Sequence, residues 1–123
     1  MLSLEICKQL KDEGWPQDRG GVVSHTQNNV LYWFAIPTEP QIDDAIVEAV
    51  KAAGLRWYAV DYMLDGDLWM PAVGDEYCKD NGNSIWELSP NRHEAKAMLL
   101  LKLLDTMTAE QRDALWQKIG RAA

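Results

Sequence analysis

From Met98 to Met107 the chain reads Met-Leu-Leu-Leu-Lys-Leu-Leu-Asp-Thr-Met. At helical spacing the five leucines and two methionines cover most of a circumference. A helix that is apolar nearly all round has to be buried on nearly every side. This segment therefore predicts the central element of a hydrophobic core. Its longest unbroken apolar run, Ala97–Leu101, is far short of the roughly 20 residues that span a bilayer, which excludes a membrane helix here.

The rest of the 123 residues must supply what packs around that helix. The length suits a single domain over 1–123, large enough to hold a core without disulfide or metal. Ser3 caps a first helix with Leu4, Ile6, Cys7 and Leu10 on its apolar face, and Gly14 and Pro16 stop it. Residues 15–29 read as a loop, with Gly20-Gly21 and a polar stretch from Ser24 to Asn29. Val30–Ile36 is a strand with both faces apolar. Thr38 and Gln41 form a capping box for a second helix that Gly54 closes. Leu55–Met63 and Leu68–Val73 read as strands joined at Asp65-Gly66, and Pro71 places the second near an edge or a bulge. Asn81-Gly82 is a further turn and Ser84–Leu88 a short fourth strand. The third helix opens at Ser89-Pro90 or, in competition, at an Asn91/Glu94 cap. Thr108 and Gln111 cap a last helix. The expected fold is α+β: a small antiparallel sheet of about four strands with helices packed on one face, in the order α-β-α-β-β-β-α-α.

The formal net charge of −7 is the wrong sign for neutralising phosphates, so direct nucleic-acid binding is not expected; a basic protein partner suits it better. The charge is also uneven. From Asp61 to Glu87 there are seven acids against one base, Lys79, whereas residues 88–123 carry six bases and four acids. Catalytic signals are missing. His25 and His93 have no Cys, Asp or Glu at a diagnostic ligand spacing, and Cys7 and Cys78 are two scattered cysteines, so no metal or cofactor is expected. Cys7 reads as a small buried thiol. An EF-hand register centred on Gly82 fails, because Tyr77 and Lys79 fall where carboxylates are required. An enzyme is the least favoured reading, because it would need an acid–base or metal constellation that the spacing does not reveal. Met1–Leu10 has no basic n-region, so the expected location is cytoplasmic.

Six tryptophans are many for this length. Trp57 and Trp69 flank the acidic stretch, and Trp and Tyr dominate binding hot spots. The expected partner-binding residues are Trp57, Asp61, Asp65, Asp67, Trp69, Asp75 and Glu76, with Trp33 as a further member of the aromatic patch. Solvated turns are the plainer account of the acids. The two-faced strand would also suit a homodimer.

The segment Cys7-Lys8-Gln9-Leu10-Lys11-Asp12-Glu13-Gly14-Trp15-Pro16-Gln17 resembles the CKxLKxxGxPQ opening of small uncharacterised phage and prophage proteins. In these an aromatic strand and a Pro-Thr helix start follow, as Tyr32-Trp33-Phe34 and Pro37-Thr38 do here, and a Pro-initiated, leucine-rich helix lies near the end. The resemblance implies phage origin and the cytoplasm of an infected host, and carries no functional residue. Two functions from different classes stand open. One is an accessory or host-interaction protein that acts by binding, such as an inhibitor offering an acidic, aromatic-flanked face to a basic host protein. The other is a domain that binds or sequesters a small ligand or nucleotide in an aromatic pocket.

Overall fold

The computed structural model describes residues 2–17, 21–27, 30–75 and 84–121, with the backbone alone at 21–27, 30–33 and 121. Among these residues there are four helices: α1 (Leu4–Asp12), α2 (Glu39–Ala52), α3 (Arg92–Asp105) and α4 (Ala109–Arg121). The strands are β1 (Gly21–Gln27), β2 (Val30–Ile36), β3 (Trp57–Met63), β4 (Leu68–Gly74) and β5 (Ser84–Trp86). The α+β class stands. The strands form two antiparallel sheets, β1-β2 and β3-β4-β5, in place of the single sheet of about four.

The extra strand is β1, which the sequence presents as loop. It pairs with β2 from Gly21↔Ile36 to Gln27↔Val30, leaving only residues 28 and 29 to connect the two. Val22, Val23 and Thr26 are β-branched and suit a strand. The polar residues between them disguise it. The turn expected at Asn81-Gly82 lies outside the described residues.

Local capping chemistry sets the helix starts. Ser3 Oγ accepts from the Ile6 amide at 3.3 Å. Thr38 and Gln41 exchange both capping-box bonds, at 3.3 and 2.9 Å, as do Thr108 and Gln111, at 3.1 and 2.8 Å. At α3 the Asn91 cap wins over Pro90: Asn91 Oδ1 accepts from the Glu94 amide at 3.0 Å. Ser89 instead exchanges both backbone bonds with Trp69, at 2.8 and 3.1 Å.

α3 is the central element that its composition predicts. Ala95, Ala97, Leu99, Leu100, Leu103 and Leu104 are all fully buried, and α3 packs against α2, α1 and β4. Phe34 and Ala35, on opposite faces of β2, are both buried. Tyr58, Val73 and Ile85 sit side by side across the three-stranded sheet and pack into the same core. The helices thus cover one face of that sheet.

Pro71 stands in the middle strand and not at an edge. Glu87 donates to the Pro71 carbonyl at 3.2 Å, but the ring nitrogen has no hydrogen to return. The ladder to β5 is broken at that step. It survives as the three pairs at 72–74 and the isolated Trp69–Ser89 bridge.

The residues of the CKxLKxxGxPQ-like segment have structural roles. Cys7, a free thiol, and Leu10 are buried on α1. Gln17 donates to the Trp15 carbonyl at 2.8 Å and accepts from the Ala35 amide at 2.9 Å, tying the segment to β2. Gly14 has φ +104°, and a Cβ there would lie 2.6 Å from Trp116 Nε1. That indole donates to the Glu13 carbonyl at 2.8 Å, so α4 docks onto the end of α1.

Candidate functional site

The face of the three-stranded sheet turned away from the helices is set by register. Trp57, Ala59, Asp61 and Met63 alternate with the core-facing residues of β3, opposite Gly74, Ala72, Met70 and Leu68 of β4. Trp86 lies beside Ala72 on the same face. Asp61, Met63 and Trp86 are exposed, and Trp57 is half-buried with its indole donating to the Asp75 carbonyl at 2.7 Å. Beyond Met63 the chain turns through residues 64–67, where Leu64 is 84% exposed, the most exposed large hydrophobic described. Asp65 and Asp67 are exposed in the same turn. Asp67 adopts φ +51°, and its carboxylate accepts from the Tyr62 hydroxyl at 2.6 Å.

The expected site is therefore only partly assembled. Trp57, Asp61 and the turn aspartates share one region, with Asp75 half-buried at the end of β4. Trp69 does not join Trp57. It pairs with Tyr62 and so projects to the opposite face, where it meets the Tyr62 ring at 4.7 Å and carries the Arg92 guanidinium 5.1 Å from its centroid. Glu76 and the side chain of Trp33 lie outside the described residues, as does Cys78.

A second constellation lies between α2 and α3. Lys96, with only 8% of its side chain exposed, donates to Glu39 and to Asp43, each at 3.1 Å. Arg92 adds a second cation to Glu39 at 3.0 Å, and the Tyr58 hydroxyl donates to Asp43 at 2.7 Å. His93 Nε2 lies 2.9 Å from the Pro37 carbonyl. Burial first, and then the hydrogen bond to Asp43, push the Tyr58 hydroxyl far above its ordinary range. Tyr58 is therefore a hydrogen-bond donor here and not an acid–base group at neutral pH. With the Lys96 donors spent on two carboxylates, the cluster works as a cross-link between α2 and α3. The sequence signal for it is a pair of acids four apart, Glu39 and Asp43, matched by a pair of bases four apart, Arg92 and Lys96.

The remaining bases of α3 and α4 whose side chains are described are also engaged. Lys102 pairs with Glu87 at 2.7 Å, Arg112 with Glu13 at 3.4 Å and Lys118 with Glu48 at 2.8 Å. Among the described residues no three His, Cys, Asp or Glu side chains converge to hold a metal ion, and no helix is long and apolar enough to cross a membrane. No family model, no curated protein and no solved structure matches this chain.

Proposed function

We propose that this chain is a binding protein, an accessory protein of phage type, that docks a basic protein surface on the outer face and turn of its three-stranded sheet. One observation carries the reading. Of the five large hydrophobics left exposed among the described residues, Met63, Leu64 and Trp86 belong to this face and its turn, while Tyr62 lies on the opposite face beside the turn. Clustered apolar exposure of this kind marks interaction surfaces. Asp61 and Asp65 stand exposed among these residues, so the patch combines apolar contact with a negative rim. The resemblance of the N-terminal segment supports a host-cell cytoplasmic setting, where basic nucleic-acid-binding proteins offer the complementary surface.

The test is a pull-down from bacterial lysate at low and high salt with the wild type, an Asp61→Lys/Asp65→Lys variant and a Trp86→Ala variant. The reading expects one retained basic protein that is lost at high salt and in both variants. Trp69→Phe, altered on the other face, should retain it. Retention by both outer-face variants would overturn the proposal. A concentration-dependent dimer in light scattering, abolished by Trp86→Ala, would instead assign the face to a second copy of the chain.

A further inference from the structure

We infer that the open edge of β3 takes up an extended, lysine- or arginine-rich segment of the partner as an added antiparallel strand; this rests on the binding reading above and names how the partner is held. Register shows which backbone groups are open. Trp69 exchanges both backbone bonds with Ser89, and Glu87 donates to the Pro71 carbonyl, so these odd-numbered residues of β4 turn their backbone groups toward β5. The even-numbered Leu68, Met70, Ala72 and Gly74 therefore bond Met63, Asp61, Ala59 and Trp57 of β3. Tyr58, Val60 and Tyr62 are left pointing their N–H and C=O groups out of the sheet, where β3 is the terminal strand. Among the described residues no backbone group pairs with them on that side.

The two edges of this sheet differ. β5 has only three residues, and the outward carbonyl of Trp86 already accepts from Lys102 at 3.1 Å. β3 runs for seven residues in unbroken register, with no proline, lysine or bulge along it, and Ala59, Asp61, Tyr62 and Met63 are exposed. Natural edges are normally blunted by such devices, and an edge left whole is a template for another strand. Charge selects the occupant. Asp61 is the only charged side chain of β3, and Asp65 stands exposed in the turn beyond it. If two copies paired antiparallel about Val60, each Asp61 would lie diagonal to the other, about 7–8 Å apart. Those like charges oppose self-pairing, whereas a basic segment sets a cation against Asp61.

The probe is an acetylated, amidated heptapeptide of alternating lysine and valine with lysine at both ends. Added to β3, it places its lysines on the Asp61 face and its valines beside Tyr58, Val60 and Tyr62. Antiparallel pairing with those residues uses the valine N–H groups and leaves the lysine ones facing solvent. Calorimetry at low salt should give a dissociation constant of about 100 μM or tighter. N-methylation of the valines should weaken binding about 10-fold or more, while N-methylation of three lysines, at equal charge and composition, should not. A glutamate–valine counterpart should not bind. Amide hydrogen exchange at Tyr58, Val60 and Tyr62 should slow when the lysine–valine peptide binds. Absence of binding at concentrations on the order of 1 mM overturns the inference. So do equal affinities of the two methylated peptides, equal binding of the glutamate peptide, or unchanged exchange at the edge amides. Methylated peptides that bind alike, and are both lost in Asp61→Lys/Asp65→Lys, would leave the docking face standing and remove the strand addition alone. Protection of the same amides in a peptide-free dimer would give the edge to a second copy and overturn the basic segment.

Discussion

Lys96→Met tests the link between α2 and α3. Methionine keeps an unbranched stem of similar reach in the buried slot, so the change removes the charge and little of the packing. Stripping one partner from a buried ion pair costs about 3–5 kcal/mol when the other charge is left stranded. Here the stranding is incomplete. Glu39 keeps Arg92 and Asp43 keeps the Tyr58 hydroxyl, and the two carboxylates retain 25% and 36% side-chain exposure. The expected loss is accordingly about 2–3 kcal/mol. With a urea dependence of about 1–3 kcal/mol per molar, the unfolding midpoint should fall by roughly 1–2 M at unchanged slope.

A triple variant, Glu39→Gln/Asp43→Asn/Lys96→Met, removes the charges together and keeps acceptors for Arg92 and Tyr58. It should recover to within about 1 kcal/mol of wild type, because replacing a whole buried ion cluster is far less harmful than breaking it. Acid titration adds a second readout. Burial pushes the Glu39 carboxyl up, but the hydrogen bonds and charges of Arg92 and Lys96 outweigh it and hold the group below its ordinary value. A depressed carboxyl contributes stability that is fully present above its unfolded-state value and is lost as pH falls through the folded-state one. The wild type should therefore lose stability below about pH 5 more steeply than Lys96→Met. A single variant that loses less than about 0.5 kcal/mol, or a triple variant as unstable as the single, would refute the cross-link.

Gly14→Ala forces a Cβ into left-handed backbone and against Trp116, so it should cost about 2–3 kcal/mol from strain and the displaced indole bond to Glu13. Calorimetry should show a fall of roughly 8–12 °C in melting temperature, and a fall under about 2 °C would show that α4 does not depend on this contact. Burial holds the His93 imidazole below its ordinary value, against the opposing pull of the Pro37 carbonyl and Glu39. The folded state therefore favours the neutral ring, and stability should decline as pH falls below about 6.5. His93→Gln, which can still donate to Pro37, should remove that decline when urea midpoints at pH 7.5 and 5.5 are compared.

The helices are legible because their information is local. A side-chain oxygen at the cap, an apolar stripe and a positive-φ glycine all act within a few residues, and Ser3, Thr38, Asn91 and Thr108 behave accordingly. β1 is not legible in this way. Its strand character is realised only by pairing with β2, and Ser24–Asn29 carries the polarity of a loop. Pro71 misleads for a related reason. Proline disrupts a ladder on one side of a strand only, and β4 turns that side toward β5, where the break is absorbed. The separation of Trp57 from Trp69, in contrast, is contained in the sequence. A turn centred on Asp65-Gly66 already sets Tyr62 opposite Trp69, which places Trp57 on the other face.

The charge asymmetry takes its meaning from the ion pairs. As composition, the C-terminal part is slightly basic and the 61–87 stretch strongly acidic, which suggests two patches of opposite sign. Yet Arg92, Lys96, Lys102, Arg112 and Lys118 each bind a carboxylate, and all but Lys102 reach one on α1, α2 or the turn after α1. These five cations are each paired with a carboxylate, and four of the pairings tie helices together. Asp61 and Asp65 join no ion pair among the described residues and stand exposed beside Met63 and Leu64. The acids of this sheet face are thus left without the cations that the helices use among themselves. Breaking a cross-link loosens the fold but leaves that surface in place: Lys96→Met removes a positive charge and touches neither Asp61 nor Asp65, so a basic partner that reads the acidic face should still bind the folded variant. Asp61→Lys/Asp65→Lys should weaken the same partner with no change in the urea midpoint. That contrast separates a surface that carries charge from a core that holds the fold.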